Sequence, residues 1–245
     1  MKKEFEFPDI DKVGIDTLES ISIAVNFNQW MYKTISQFCS GKTLEIGSGI
    51  GNISQCFIDD DKDITLTDIR DNYIETLKEK FPQRKDKVQH MDLVNEEFDT
   101  LYEPFLGQYD SVFALNVVEH IKDDTLALQN ASKLLKTGGK LIILVPAYQV
   151  LYNTIDEALE HYRRYTKKTL NGVMNKAKGL DIEHSQYFNA FGMLGWFVTG
   201  SLLKSKTVPI NKMRLYDKLL FIAKTLDILT FNKIGLSVIS VASKK

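Results

Sequence analysis

At 245 residues with 44% hydrophobic side chains, the chain is long enough to bury one large core or two small ones. Its 31 basic and 32 acidic side chains leave a formal net charge of -1, which gives no overall field for a polyanion and sets a nucleic-acid partner aside. Two cysteines, Cys39 and Cys56, have no partners at zinc-ligand spacing, so they read as small buried hydrophobes and no metal is expected.

Met1 to Asp16 alternates charges with Phe5 and Phe7 and lacks the basic start and apolar core of an export signal. A cytoplasmic location is expected. From Thr43 to Val145, short apolar runs alternate with amphipathic segments, the pattern of βαβ units on a parallel sheet. Strands are predicted over Thr43–Ile46, Ile64–Thr67, Lys87–Met91, Tyr109–Leu115 and Lys140–Val145. Helices are predicted over Gly51–Phe57, Asn72–Phe81 and Asp123–Leu135, the last stopped by Gly138-Gly139.

Past Val145 the regularity lapses through a Tyr-rich stretch to Tyr165. It resumes with a helix near Thr166–Lys178, a strand near Asp181–Tyr187, an amphipathic helix over Leu215–Phe231 and an alternating strand over Leu236–Val241. Tyr187 to Leu203 carries no charge but falls short of the roughly 20 clearly apolar residues of a membrane span. It reads as an inserted helix that is buried on the sheet edge, forms a dimer contact or lies on a bilayer surface.

Leu44-Glu45-Ile46-Gly47-Ser48-Gly49-Ile50-Gly51-Asn52 places an acid on a strand and glycines at alternate positions of the turn that follows. Glycine there permits positive φ and lets a ligand pack on bare backbone. The dinucleotide fingerprint puts its third glycine where this chain has Asn52, and no Gly-Lys-Ser/Thr follows to make a phosphate loop. Ligands in open α/β sheets sit beyond the carboxyl ends of the strands, so Gly47, Asp68, Asp92 and Asn116 are expected on one rim.

With these residues the chain resembles the class I S-adenosylmethionine-dependent methyltransferases, over about Asn26 to Lys245. The resemblance implies a single domain over 1–245. Its fold is a doubly wound, mostly parallel seven-stranded Rossmann-like sheet, with an antiparallel last strand and a helical insertion before it. It implies S-adenosyl-L-methionine as cofactor. Glu45, Gly47, Ser48, Gly49 and Gly51 would hold the methionine portion, Asp68 with Ile69 the ribose, Asp92 with Leu93 the adenine, and Asn116 the mouth of the methyl-donor pocket. Trp30 and Tyr32 would belong to lid helices over the cofactor, within 1–40.

The Leu-Tyr…Asp…His-Tyr-Arg-Arg-Tyr segment is similar to that of a bacterial subgroup often associated with glycosyltransferases. It marks 147–166 as a substrate-side insert, with Tyr148, Tyr152, Asp156, His161, Arg163 and Arg164 as acceptor-binding candidates and 188–235 as an apolar helical insertion. The arginines can fork a phosphate or carboxylate. Methyl transfer is an in-line displacement that depends chiefly on positioning; His120 and His161 are the candidate bases for a hydroxyl acceptor. Asn116-Val117-Val118 lacks the Pro-Pro motif of adenine and glutamine N-methylation, which leaves a small molecule, sugar or lipid-linked acceptor. Peripheral membrane contact through 187–203 and 215–231, and a homodimer, stay open. The alternatives are a non-catalytic module that binds the same cofactor and, with less support, a nicotinamide-dependent oxidoreductase.

Overall fold

The computed structural model describes residues 12–245, so Phe5, Phe7 and the opening of the expected lid segment lie outside the described residues. Two helices, α1 (Lys12–Ser22) and α2 (Val25–Ser36), lead into alternating elements. These are β1 (Thr43–Ile46), α3 (Asn52–Asp59), β2 (Ile64–Asp68), α4 (Asp71–Lys80), β3 (Val88–His90), α5 (Phe98–Leu101), β4 (Tyr109–Leu115), α6 (Asp124–Leu134) and β5 (Leu135–Pro146). After α7 (Thr154–Ala158), α8 (Lys167–Lys176) and β6 (Leu180–Phe188), three helices precede the last strand. They are α9 (Ala190–Trp196), α10 (Ile210–Lys218) and α11 (Leu220–Leu229), followed by β7 (Ser237–Lys244).

The seven strands form one sheet in the order β3-β2-β1-β4-β5-β7-β6. Strands β1 to β5 pair in parallel, and β7 enters between β5 and β6 antiparallel to both. This is the doubly wound, mostly parallel sheet expected from the sequence. Every residue of β1 and β2 is buried, as strands covered by helices on both faces require. The period of two shows along β5, where Leu141, Ile143 and Val145 join one core cluster and Ile142 and Leu144 the other. From β1 the chain runs outward to β2 and β3, then returns to β4 beside β1, so the loops after β1 and β4 part and leave a crevice at their carboxyl ends.

Two expected boundaries shift. Strand β5 begins at Leu135 rather than Lys140, and its pairing with β4 slips between Tyr109 and Ser111. Gly139 permits this, because a Cβ there would lie 2.9 Å from the Lys136 carbonyl oxygen and 3.0 Å from that of Tyr109. The single helix expected over Leu215–Phe231 is broken at Leu219. Asp217 of α10 accepts from the Phe27 amide at 2.8 Å, while Asp227 of α11 accepts from the Asn189 and Ala190 amides at 2.7 Å each. On one straight helix these carboxylates would point about 80° apart; the break lets each hold the start of a different helix, α2 and α9. Cys56 is buried and Cys39 half-buried.

Gly235 fixes how the insertion rejoins the sheet. A Cβ there would sit 2.4 Å from the Phe188 carbonyl oxygen and 2.5 Å from its nitrogen. Backbone cannot step aside as a side-chain tip does, so Gly235→Ala is expected to cost about 1–3 kcal/mol. A urea midpoint lowered at constant slope is the expected readout, whereas an unmoved midpoint would show that this approach is not tight.

Candidate active site

A cavity of about 520 Å³ opens at the carboxyl ends of β1, β2, β3 and β4, within the size range of small-molecule sites. Its floor is the glycine turn after β1. Gly47, Gly49 and Gly51 all have positive φ, at 69°, 53° and 76°. At Gly47 a Cβ would also come within 2.4 Å of a Val117 methyl, so the turn and the loop after β4 touch only because this residue is glycine.

Asp68, at the end of β2, secures that turn. Its buried carboxylate accepts from the Gly49 amide at 2.9 Å and the Arg70 amide at 3.0 Å, and the Ser48 amide donates to the Thr67 carbonyl at 2.9 Å. Glu45 is buried at the base of the cavity, where it accepts from the Ser54 hydroxyl. Burial pushes its carboxyl up to about 7, against the pull of that hydrogen bond. Asp92 turns back to accept from the Val94 amide at 2.9 Å, and Asn116 sits in the left-handed region at φ 53° with its amide on the Leu144 carbonyl at 2.8 Å. Asparagine tolerates that conformation, which clusters at functional sites.

Glu45, Gly47, Ser48, Gly49, Asp68, Ile69, Asp92, Leu93 and Asn116 all line this one cavity. Gly51 does not, and serves as the left-handed entry to α3. Trp30 and Tyr32 are turned elsewhere: Trp30 packs on Phe188, and Tyr32 donates to Asp60 and stands edge-on to Phe57. The cover comes instead from Thr17, Leu18 and Ile21 of α1 and Phe27, Asn28 and Met31 of α2. Met31 lies one turn beyond Phe27 on the helix, so the cavity face of α2 misses Trp30 and Tyr32.

Across the cavity stand His120, His161 and Arg164. Asp156 gathers this side: its Oδ1 is 2.8 Å from His161 Nδ1 and accepts from Arg164 Nε at 2.8 Å, and its Oδ2 accepts from the Asn153 amide at 3.0 Å. Arg164 also donates to the Ala147 carbonyl at 3.1 Å and lies over the Trp196 ring at 4.7 Å. Its Nε and Nη1 are thereby engaged. Arg163 is directed away from the cavity, donating to Asp124 at 2.7 Å and to the Lys122 carbonyl at 2.9 Å. Tyr152 donates to the His161 carbonyl at 2.8 Å, and Tyr148 stacks on Tyr187. The insert thus acts mainly as a frame that holds His161 and Arg164 at the wall, with Tyr148, Tyr152, Asp156 and Arg163 behind them. The pair of arginines expected to fork one anion is not assembled.

Sequence reading missed Glu119, Asn189 and Trp196. Glu119 beside His120 was visible only as a dipeptide; its burial against His161 follows from the fold. Asn189 has the same left-handed backbone as Asn116, at φ 68°, a conformation that its residue type alone does not announce.

Residues 44–141 match the family described as "Methyltransferase domain". The highly reducing polyketide synthase 40 of Fusarium mangiferae is 35% identical over 107 residues, covering 42% of this chain and 4% of that protein. Among solved structures, phosphoethanolamine N-methyltransferase 2 of Haemonchus contortus, in complex with S-adenosyl-L-methionine, superposes with a TM-score of 0.59 at 16% identity. That match covers 98% of this chain and 60% of the nematode chain. An S-adenosylmethionine-dependent methyltransferase from Archaeoglobus fulgidus gives a TM-score of 0.56 at 18% identity over 89% of this chain and 94% of that one. This chain spans only 3 to 5% of the length of the curated relatives it matches. The family match is confined to residues 44–141, and the chain as a whole shares the fold of these structures.

A carboxyl raised to about 7 by burial must ionise to meet a cation. Affinity for S-adenosylmethionine, measured by calorimetry between about pH 5.5 and 7.5, is therefore expected to rise with pH and level off above 7, by up to tenfold per unit below it. Glu45→Gln should flatten the profile. A flat profile in the unsubstituted protein would mean that the carboxylate does not face the cation.

Proposed function

We propose that the protein is an S-adenosylmethionine-dependent methyltransferase acting on a small organic, sugar or lipid-linked acceptor. The observation that carries this reading is the two-sided cavity. Bare glycine backbone and the carboxylates of Glu45, Asp68 and Asp92 form one wall, and the imidazoles of His120 and His161 form the other. The donor-side residues fit the cofactor: two buried carboxylates suit a cationic amino acid and a diol, and no side chain protrudes from Gly47 or Gly49 to fill the cradle.

In this reading Glu45 and the turn hold the methionine portion, Asp68 with Ile69 the ribose, and Asp92 with Leu93 the adenine. When bound, the cofactor supplies the electrophilic methyl carbon. The protein's own part is to exclude water with α1 and α2, to bring the acceptor in line from the His120 and His161 side, and to keep it there. A small acceptor is favoured by the net charge of -1 and by the polyketide synthases among the relatives.

A second observation favours a lipid-linked or membrane-borne acceptor. Around α9, α10 and α11, Leu194, Phe197, Leu202, Leu203, Phe221 and Ile228 are exposed, interleaved with exposed Lys204, Lys206, Lys218 and Lys224. Such a mixture of apolar and basic side chains suits an anionic bilayer surface. No helix among the described residues is long and apolar enough to cross a membrane.

Calorimetry with S-adenosylmethionine, S-adenosylhomocysteine and NAD tests the donor. The first two are expected to bind, and binding of NAD alone would sink the reading. Asp68→Ala should weaken S-adenosylmethionine by about 1.5–3 kcal/mol, with a thermal melt to confirm that the turn still folds; undiminished affinity would remove Asp68 from the site. For the apolar face, co-sedimentation with phosphatidylserine-containing vesicles but not with phosphatidylcholine vesicles is expected, and should be lost in Phe221→Asp. A dimer that Phe221→Asp dissociates, without vesicle binding, would assign the face to a second copy instead.

A further inference from the structure

The acceptor wall holds a group of side chains that hydrogen bonding leaves incomplete. Glu119 is fully buried, and neither carboxylate oxygen has a hydrogen-bond partner. Across the site its Oε1 faces His161 Nε2 at 4.0 Å, beyond hydrogen-bonding reach. Buried carboxylates are normally paired or bound to a metal. One ligand atom each from Glu119, His120 and His161 lie within 4.8 Å of one another.

We propose that Glu119, His120 and His161 form a three-ligand site for a divalent transition-metal ion at the acceptor end of the cavity. Ion binding stands on this geometry alone; the role given to the ion below rests on the methyltransferase reading. Ligands at about 2.0–2.2 Å from a shared ion can be no more than about 4.4 Å apart, so the group must close by about half an ångström. His120 can supply that movement, since it is only partly buried and ends a single 3-10 turn, Val118–His120.

The surroundings are those of a metal-binding histidine. Asp156 holds His161 Nδ1 at 2.8 Å, which leaves Nε2 turned towards Glu119, the arrangement in which a carboxylate behind a histidine fixes its tautomer and direction. The neighbouring cation, Arg164, donates through Nε to Asp156 and through Nη1 to the Ala147 carbonyl. Two imidazoles and one carboxylate suit manganese, iron, cobalt or zinc better than magnesium or calcium. Both histidines line the cavity, so the open coordination positions face it.

There the ion would bind a hydroxyl of the acceptor and lower its pKa. The hydroxyl proton leaves to solvent, the oxygen forms a bond to the methyl carbon, and the carbon–sulfur bond breaks with its electron pair returning to sulfur. That charge balance yields a methyl ether and a neutral thioether.

Chelator-stripped protein titrated with Co²⁺ tests the site by visible absorption. One equivalent per chain is expected, with ligand-field bands of nitrogen-bound cobalt. Glu119→Gln and His120→Asn should each weaken Co²⁺ more than tenfold, and Asp156→Asn, which acts through His161, by about 10–100-fold. Glu119→Gln and His120→Asn should keep their S-adenosylmethionine affinity and thermal melts, while Asp156→Asn, which also weakens the buried pair with Arg164, should melt lower; since His120 is partly exposed its variant is a sound fold control. Absence of cobalt bands in the unsubstituted protein, or Co²⁺ affinity unchanged in both Glu119→Gln and His120→Asn, would overturn the proposal. If Co²⁺ binds while S-adenosylmethionine does not, the donor reading falls and the ion site stands.

Discussion

The site depends on a carboxylate that stitches two strand ends together. Asp68 takes the Gly49 amide with one oxygen and the Arg70 amide with the other, so the turn after β1 and the end of β2 are held in one rigid cradle. Three consecutive alternate glycines with positive φ make that turn sharp enough to be reached. The approach of Val117 to Gly47 then joins the loop after β4 to the same floor. Charge, backbone freedom and strand order all act on one point, the crevice where the chain reverses direction across the sheet.

This convergence explains why the glycine side of the cavity was legible in the sequence. Its residues follow successive parallel strands, and a parallel sheet brings all its strand ends to one rim whatever lies between them. Thr43–Ile46 and Tyr109–Leu115 are strands over their full expected lengths because their apolar runs are bounded by turn residues. Where expectation shifted, longer-range contacts decided: the break at Leu219 answers two anchoring carboxylates on different faces, and the early start of β5 needs the close approach at Gly139.

The histidine side was less legible because it depends on tertiary pairing. Composition marks the insert as rich in hydrogen-bonding groups but does not say which of them face inward. Arg163 goes to Asp124 and Arg164 to Asp156, a division that two adjacent arginines do not reveal. The same holds for Trp30 and Tyr32, whose neighbours on α2 cover the cavity in their place. Glu119 is the clearest case. Read locally it belongs to a Glu-His pair in a loop; folded, it is a buried carboxylate facing a histidine from a distant segment.

The central claim is that one cavity holds a methyl donor on its glycine side and an acceptor on its histidine side. A crystal structure with S-adenosylhomocysteine measures this most directly. The account predicts ribose hydroxyls within hydrogen-bonding distance of Asp68, the amino acid portion over Gly47 and Gly49, and the sulfur directed towards His120 and His161. Ligand density outside the crevice between β1 and β4, or a sulfur facing away from the two histidines, would contradict it.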